Sequence, residues 1–159
     1  MLFLIPYTSM VVYARIRDLN ETLNSYFEYE SEIGEGEKVL IFKSDNASET
    51  FSLKLKLLLY IASDDNYISL YYLGNEGIDR HLIRKSLKSL VEDQLHSSLV
   101  RCHRSYMINL YNLQQMKGNR NKMEIFLKGL DKGIPVSRHY VDVLNNIIHE
   151  KALQFTPNN

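Results

Sequence analysis

Apolar residues along this chain fall into short runs separated by polar turns, and the dominant period is two. Residues 50–55 set Phe51, Leu53 and Leu55 against Ser52, Lys54 and Lys56, the alternation of a half-buried strand. Residues 38–43, 57–62, 67–73, 78–84, 113–117, 123–127 and 134–136 predict further strands. Turns are predicted at 44–48 (SDNAS), 63–66 (SDDN), 74–77 (GNEG), 118–122 (GNRNK) and 129–133. Helical spacing breaks this rhythm twice in the main domain. Ser86 fits an N-cap ahead of Leu87, Leu90, Val91 and Leu95, and Ser137 fits a cap ahead of Val141, Leu144, Ile147 and Ile148. No βαβ unit and no glycine-rich phosphate loop interrupts the order, so the class is mainly antiparallel β.

The run 99–110, LVRCHRSYMINL, departs from the pattern. It is apolar enough to predict one buried strand, yet it carries Arg101, His103 and Arg104. Basic groups stay in a core strand only when they reach a surface or a partner. From the residues alone, a functional edge and a solvated strand end beside a satisfied core histidine both remain open.

Composition narrows the classes. The chain has 159 residues, enough for one domain with an appendage and a core that needs no staple. A single cysteine, Cys102, excludes an internal disulfide and a cysteine-rich metal site. The 19 basic and 19 acidic residues balance overall. Their distribution is uneven: residues 1–36 hold two arginines and six acids, and the basic excess lies in 37–159. The domain reading is therefore 1–36 as apolar start, amphipathic helix and acidic linker, 37–150 as the main domain, and 151–159 as a tail.

Residues 1–14 are mostly apolar but too few to span a bilayer, which takes about 20. Arg15 and Arg17 follow. The segment fits either the cytoplasmic end of a membrane helix or a short buried element. Ile16, Leu19, Leu23, Tyr26 and Phe27 recur at helical spacing, and residues 28–37 predict a linker.

Catalytic chemistry finds little support. The histidines at 81, 96, 103, 139 and 149 form no metal-binding spacing, and Asp64 and Asp65 share a polar turn, where carboxylates are solvated or cap backbone. Cys102 and His103 would point to opposite faces of a strand. No enzyme, cofactor or metal is expected. Arginines suit anion recognition better. Arg101 and Arg104 flank His103, and Arg138 opens the last helix, where free backbone N–H groups favour phosphate. Lys117, Arg120 and Lys122 crowd one hairpin tip, which suits either phosphate contact or plain solvation.

These residues resemble a family signature. The run 99–110 is similar to the motif of the LytTR family of DNA-binding domains. Residues 60–67 (YIASDDNY), 84–90 (RKSLKSL), Asn109 with Leu113, and 134–140 (IPVSRHY) resemble its other motifs in the same order. The resemblance covers about 37–150. It implies a ten-stranded, mostly antiparallel β fold with one internal and one C-terminal helix. It also implies double-stranded DNA binding by a bacterial transcriptional regulator, whose loops enter successive major grooves of a direct-repeat site. It puts base contacts on Tyr67, Arg104 and Arg138. Arg101, His103 and Asn109 become backbone-contacting or loop-supporting residues, with Ser137 beside them. The resemblance does not call for the hairpin tip, so Lys117, Arg120 and Lys122 stay phosphate candidates of lower rank from the residues alone. Tyr67 stands where some members have histidine. A homodimer on DNA and a cytoplasmic site, with an upstream membrane or sensor segment, complete the expectation. Residues 1–36 are too short for a receiver domain. The competing expectation is a β domain that binds a protein partner through a strand edge.

Overall fold

The computed structural model describes residues 34–154, with side chains through residue 150. The chain divides into two units, Met1–Glu35 and Gly36–Asn159, and the second is the folded body described below. The expected helix over 16–27 and the apolar start lie outside the described residues. Among the described residues no helix is long and apolar enough to cross a membrane.

Ten strands and two helices make up the body. The strands are β1 (Val39–Lys43), β2 (Thr50–Lys54), β3 (Leu58–Asp64), β4 (Tyr67–Leu73) and β5 (Ile78–Ile83), followed by helix α1 (Leu87–Glu92). Then come β6 (Leu99–Arg101), β7 (Tyr106–Asn109), β8 (Leu113–Asn119), β9 (Lys122–Leu127), β10 (Ile134–Val136) and helix α2 (Arg138–Gln154). The strands pair antiparallel throughout. They form a β1–β2 hairpin, a central sheet in the order β5-β4-β3-β7-β6, and a third sheet in the order β10-β9-β8.

Alternation explains how the layers meet. On the central sheet Ile61 lies opposite both Leu70 and Met107, so these three share a face. That face packs with Leu40, Phe42 and Leu53 of the hairpin and Leu87 and Leu90 of α1. Tyr60 lies opposite Ile108 and points the other way. There Ile108 joins Ile125, Leu127, Ile134, Val141 and Leu144 in a second core beneath the third sheet and α2. The Ser86 hydroxyl accepts from the Ser89 N–H at 3.0 Å and starts α1.

The stretch 99–110 is not one strand. It turns back on itself as the hairpin β6–β7, with Leu99 opposite Asn109 and Arg101 opposite Met107. The reversal is made by backbone and imidazole together. The Cys102 and His103 N–H groups both donate to the Tyr106 carbonyl, at 3.1 and 3.2 Å, and His103 Nδ1 accepts from the Ser105 N–H at 3.1 Å. The broken period noted in the sequence is this turn. The run closes on a short 3-10 turn, Leu110–Asn112, rather than continuing as strand. Two expected turns are shorter than their composition suggests: β3 runs through Asp64 and β8 through Asn119, leaving only Asp65–Asn66 and Arg120–Asn121 at the bends.

Candidate nucleic-acid interface

The loop 102–105 is the centre of the candidate surface, and it is held from several directions. From within, the Arg101 guanidinium donates to the His103 carbonyl at 3.2 Å and to the Arg104 carbonyl at 2.9 Å. From β3, the Ser63 N–H donates to the Ser105 carbonyl at 2.8 Å. From the start of α2, the Ser137 N–H donates to the Cys102 carbonyl at 2.9 Å. Beneath the loop, Cys102 is fully buried. Burial pushes its thiol up to about 12, so it behaves as a packing group rather than a nucleophile.

Those bonds fix the neighbours. Ser63 stands one residue before Asp64, and Asp64 pairs with Tyr67 at the β3–β4 end. Ser137 stands one residue before Arg138. Tyr67, Arg104 and Arg138, separated in sequence by 34 or more positions, therefore come from three segments joined at one end of the central sheet. Each of the three is exposed. Among the described residues none of their side chains makes a hydrogen bond or ion pair. Three open side chains on a braced backbone can meet an incoming ligand without first breaking internal contacts.

His103 and Asn109 serve the scaffold. The His103 imidazole is held below its ordinary value by partial burial first, then by the charges of Arg104 and Arg101. The neutral ring leaves Nδ1 free to accept the Ser105 N–H. Asn109 is fully buried at the base of β7. Its amide donates to the Leu55 carbonyl at 2.7 Å and the Leu58 carbonyl at 2.8 Å, and its oxygen accepts from the Tyr111 N–H at 3.0 Å. Asn112 repeats the arrangement on Lys56 and Leu58. Together the two side chains make five hydrogen bonds to four backbone groups around the 3-10 turns.

The hairpin tip differs. Arg120 is paired with Asp142 of α2 at 2.6 Å, and the Lys117 ammonium lies 4.9 Å from the Phe126 ring centre. Only Lys122, of the three, points out with no side-chain partner among the described residues. Gly118 is required here. Its φ is +109°, and a Cβ would collide with the Lys122 carbonyl.

One feature of the surface escapes sequence reading. Asp64, whose charge near a phosphate would cost affinity, is paired with Arg80 of β5 at 3.0 Å. Arg80 also donates to the Ser69 hydroxyl and lies 5.8 Å from the Tyr71 ring centre. Tyr71 stacks on Tyr60 at 4.4 Å, and Tyr60 tilts against Tyr106 at 6.3 Å. Burial and then the neighbouring tyrosines push the Tyr60 phenol up to about 12. A row of rings and one guanidinium thus crosses four strands beside the loop. The signal was present only as alternation on β4 and β5, which becomes a contact once Tyr71 is opposite Arg80.

Comparison with known proteins gives this surface a context. Residues 48–149 match the LytTr DNA-binding domain family. An uncharacterized response regulatory protein of Vibrio cholerae is 28% identical over 97 residues, 60% of this chain and 36% of that protein. The chain thus spans about a third of the length of that curated relative. A solved LytTr DNA-binding domain from Bacillus cereus shares the fold at a TM-score of 0.52 and 16% identity, covering 69% of this chain and 96% of that one.

Proposed function

From the premise that the chain belongs to the LytTR DNA-binding domain family, a family of non-catalytic DNA-binding modules of response regulators, we propose how it reads DNA. Tyr67, Arg104 and Arg138 meet base edges in the major groove. The two arginines are suited to bidentate contact with guanine, and the tyrosine to a thymine methyl or a base edge. Arg101 braces the loop, with His103 and Asn109 as its internal support. Ser137 and Lys122 lie near phosphates, with Lys117 and Arg120 in lesser parts because their charges already have internal partners. The observation that carries this reading is the convergence of three exposed, unpartnered side chains on one braced end of the sheet.

The same reading extends to assembly. Two copies on a direct-repeat site, each filling one major groove, give a regulator whose specificity comes from repetition of a small contact set. It works in the cytoplasm, where residues 1–36 join it to an upstream membrane or sensor segment.

Selection of bound duplexes from a random library tests the proposal. A repeated motif should be enriched, and its affinity should fall steeply with salt. Arg104→Ala should relax preference at one base pair of that motif. If Arg104→Ala keeps wild-type specific and non-specific affinity, the assignment of the loop fails. If no duplex is enriched and binding is insensitive to salt, the alternative β-edge interaction module takes its place.

A further inference from the structure

Behind the loop, on the side away from Tyr67, lies a half-open groove of about 490 Å³. It runs between α1, β6 and the later part of α2. Leu90, Leu95, Leu99 and Met107 line its apolar interior. Its volume falls within the range of small-molecule sites, about 300–1,000 Å³.

One feature of the groove is not explained by packing, and it is charge. Arg101 forms part of the wall, and the described lining residues include no aspartate or glutamate. The guanidinium has five N–H donors. Two atoms, Nε and one terminal nitrogen, serve the carbonyls of His103 and Arg104. No carboxylate among the described residues pairs with it. An arginine beside an apolar surface with N–H groups to spare is complementary to a single carboxylate.

We propose that this groove binds a small amphipathic carboxylate, with its apolar body on Leu90, Leu95, Leu99 and Met107 and its head on Arg101. The guanidinium then serves two masters. A bound carboxylate draws it away from the His103 and Arg104 carbonyls, loosens the loop and weakens specific DNA binding. Linkage requires DNA to weaken the ligand by the same factor. The binding half stands on the groove alone; the coupling half rests on the DNA-reading surface proposed above.

The test uses the full 159-residue chain with decanoate as probe and decanol as its uncharged counterpart. Methyl-labelled spectra should show saturable decanoate shifts at Met107, Leu90 and Leu99. Decanol should bind about tenfold more weakly, the loss of one charged contact. Val91→Trp, at the exposed rim, should block both probes while leaving DNA affinity as in wild type. Arg101→Gln should erase the preference for decanoate over decanol. Decanoate should weaken the selected duplex by about fivefold or more, within the usual range of coupling.

Absence of saturable shifts at these methyl groups would overturn the site, as would equal affinity for the two probes. Saturable decanoate binding with unchanged affinity for the selected duplex would overturn the coupling. A protein that binds decanoate but no duplex at all would instead overturn the DNA-reading surface, because the methyl shifts report the groove independently.

Discussion

Two basic segments of similar composition, 101–104 and 117–122, are built in opposite ways. In the β6–β7 loop the backbone is committed and the Arg104 side chain is open. Arg101, Ser63 and Ser137 hold the loop carbonyls. In the β8–β9 hairpin the side chains are committed, with Arg120 on Asp142 and Lys117 over Phe126. A count of positive charges ranks the hairpin, with Lys117, Arg120 and Lys122, above the loop, with Arg101 and Arg104. Recognition depends on whether a cation is both pre-positioned and unspent: Arg104 is unspent on the braced loop, and Lys122 is the one unspent cation of the three on the hairpin.

The comparison breaks most easily at the base of the loop. Asn109→Ala removes three hydrogen bonds at once: the Tyr111 N–H loses its Asn109 acceptor, while the Leu55 and Leu58 carbonyls keep the Leu58 N–H and the Asn112 amide. It should destabilise the domain by about 3 kcal/mol in urea unfolding. A loss below about 1 kcal/mol would mean the 3-10 turns satisfy themselves and the loop needs no such foundation.

Next comes the residue proposed to read a base. Arg104→Ala should cost about 1–3 kcal/mol on the selected duplex and little on random DNA. Unfolding should be nearly unchanged, since the side chain makes no internal bond among the described residues. Arg101→Lys separates brace from charge. It keeps the cation but cannot span the His103 and Arg104 carbonyls as a fork, so specific binding should fall by about 1–2 kcal/mol while the salt slope stays.

At the hairpin the effects should be smaller and of another kind. Arg120→Ala should change stability by less than about 1 kcal/mol, because its ion pair with Asp142 is exposed. Lys122→Ala should weaken all duplexes alike and lower the salt slope by about one. A sequence-dependent loss from either substitution would erase the distinction between the two segments.

The smallest effect is a titration. The folded His103 is held below its ordinary value of 6.5, so the unfolded chain binds its proton first as pH falls. Its contribution to stability is therefore complete above about pH 6.5 and is lost as pH drops toward the folded value. His103→Gln should flatten that part of the stability curve in paired denaturation series. An unchanged curve would show that the imidazole does not titrate differently in the folded loop.

How much of this was legible beforehand differs by element. Residues 50–54 and 67–73 announced themselves, since Phe51 and Leu53, or Ile68 and Leu70, alternate with polar or half-exposed partners. Ser86 marked its helix by a local hydrogen bond three residues on. Arg104 and Arg138 stood out as arginines in short motifs. The hairpin inside 99–110 was hidden, because its turn is made by Cys102 and His103 N–H groups meeting the Tyr106 carbonyl. Apolar residues continue straight through it and mask the reversal.

The sequence by itself thus determined the strands outside 99–110, the helix starts, their order and the chemical types at the candidate surface. These follow from alternation and capping, which are set by the geometry of neighbouring residues. Only the tertiary structure decided which of those groups act together. Arg80 found Asp64 across 16 positions and Arg120 found Asp142 across 22, removing two cations and two acids from the open charge. The contacts from Ser63 and Ser137 onto the loop brought Tyr67, Arg104 and Arg138 to one end. Such pairings join segments distant along the chain, and the packing of three sheets selects them where no local period can.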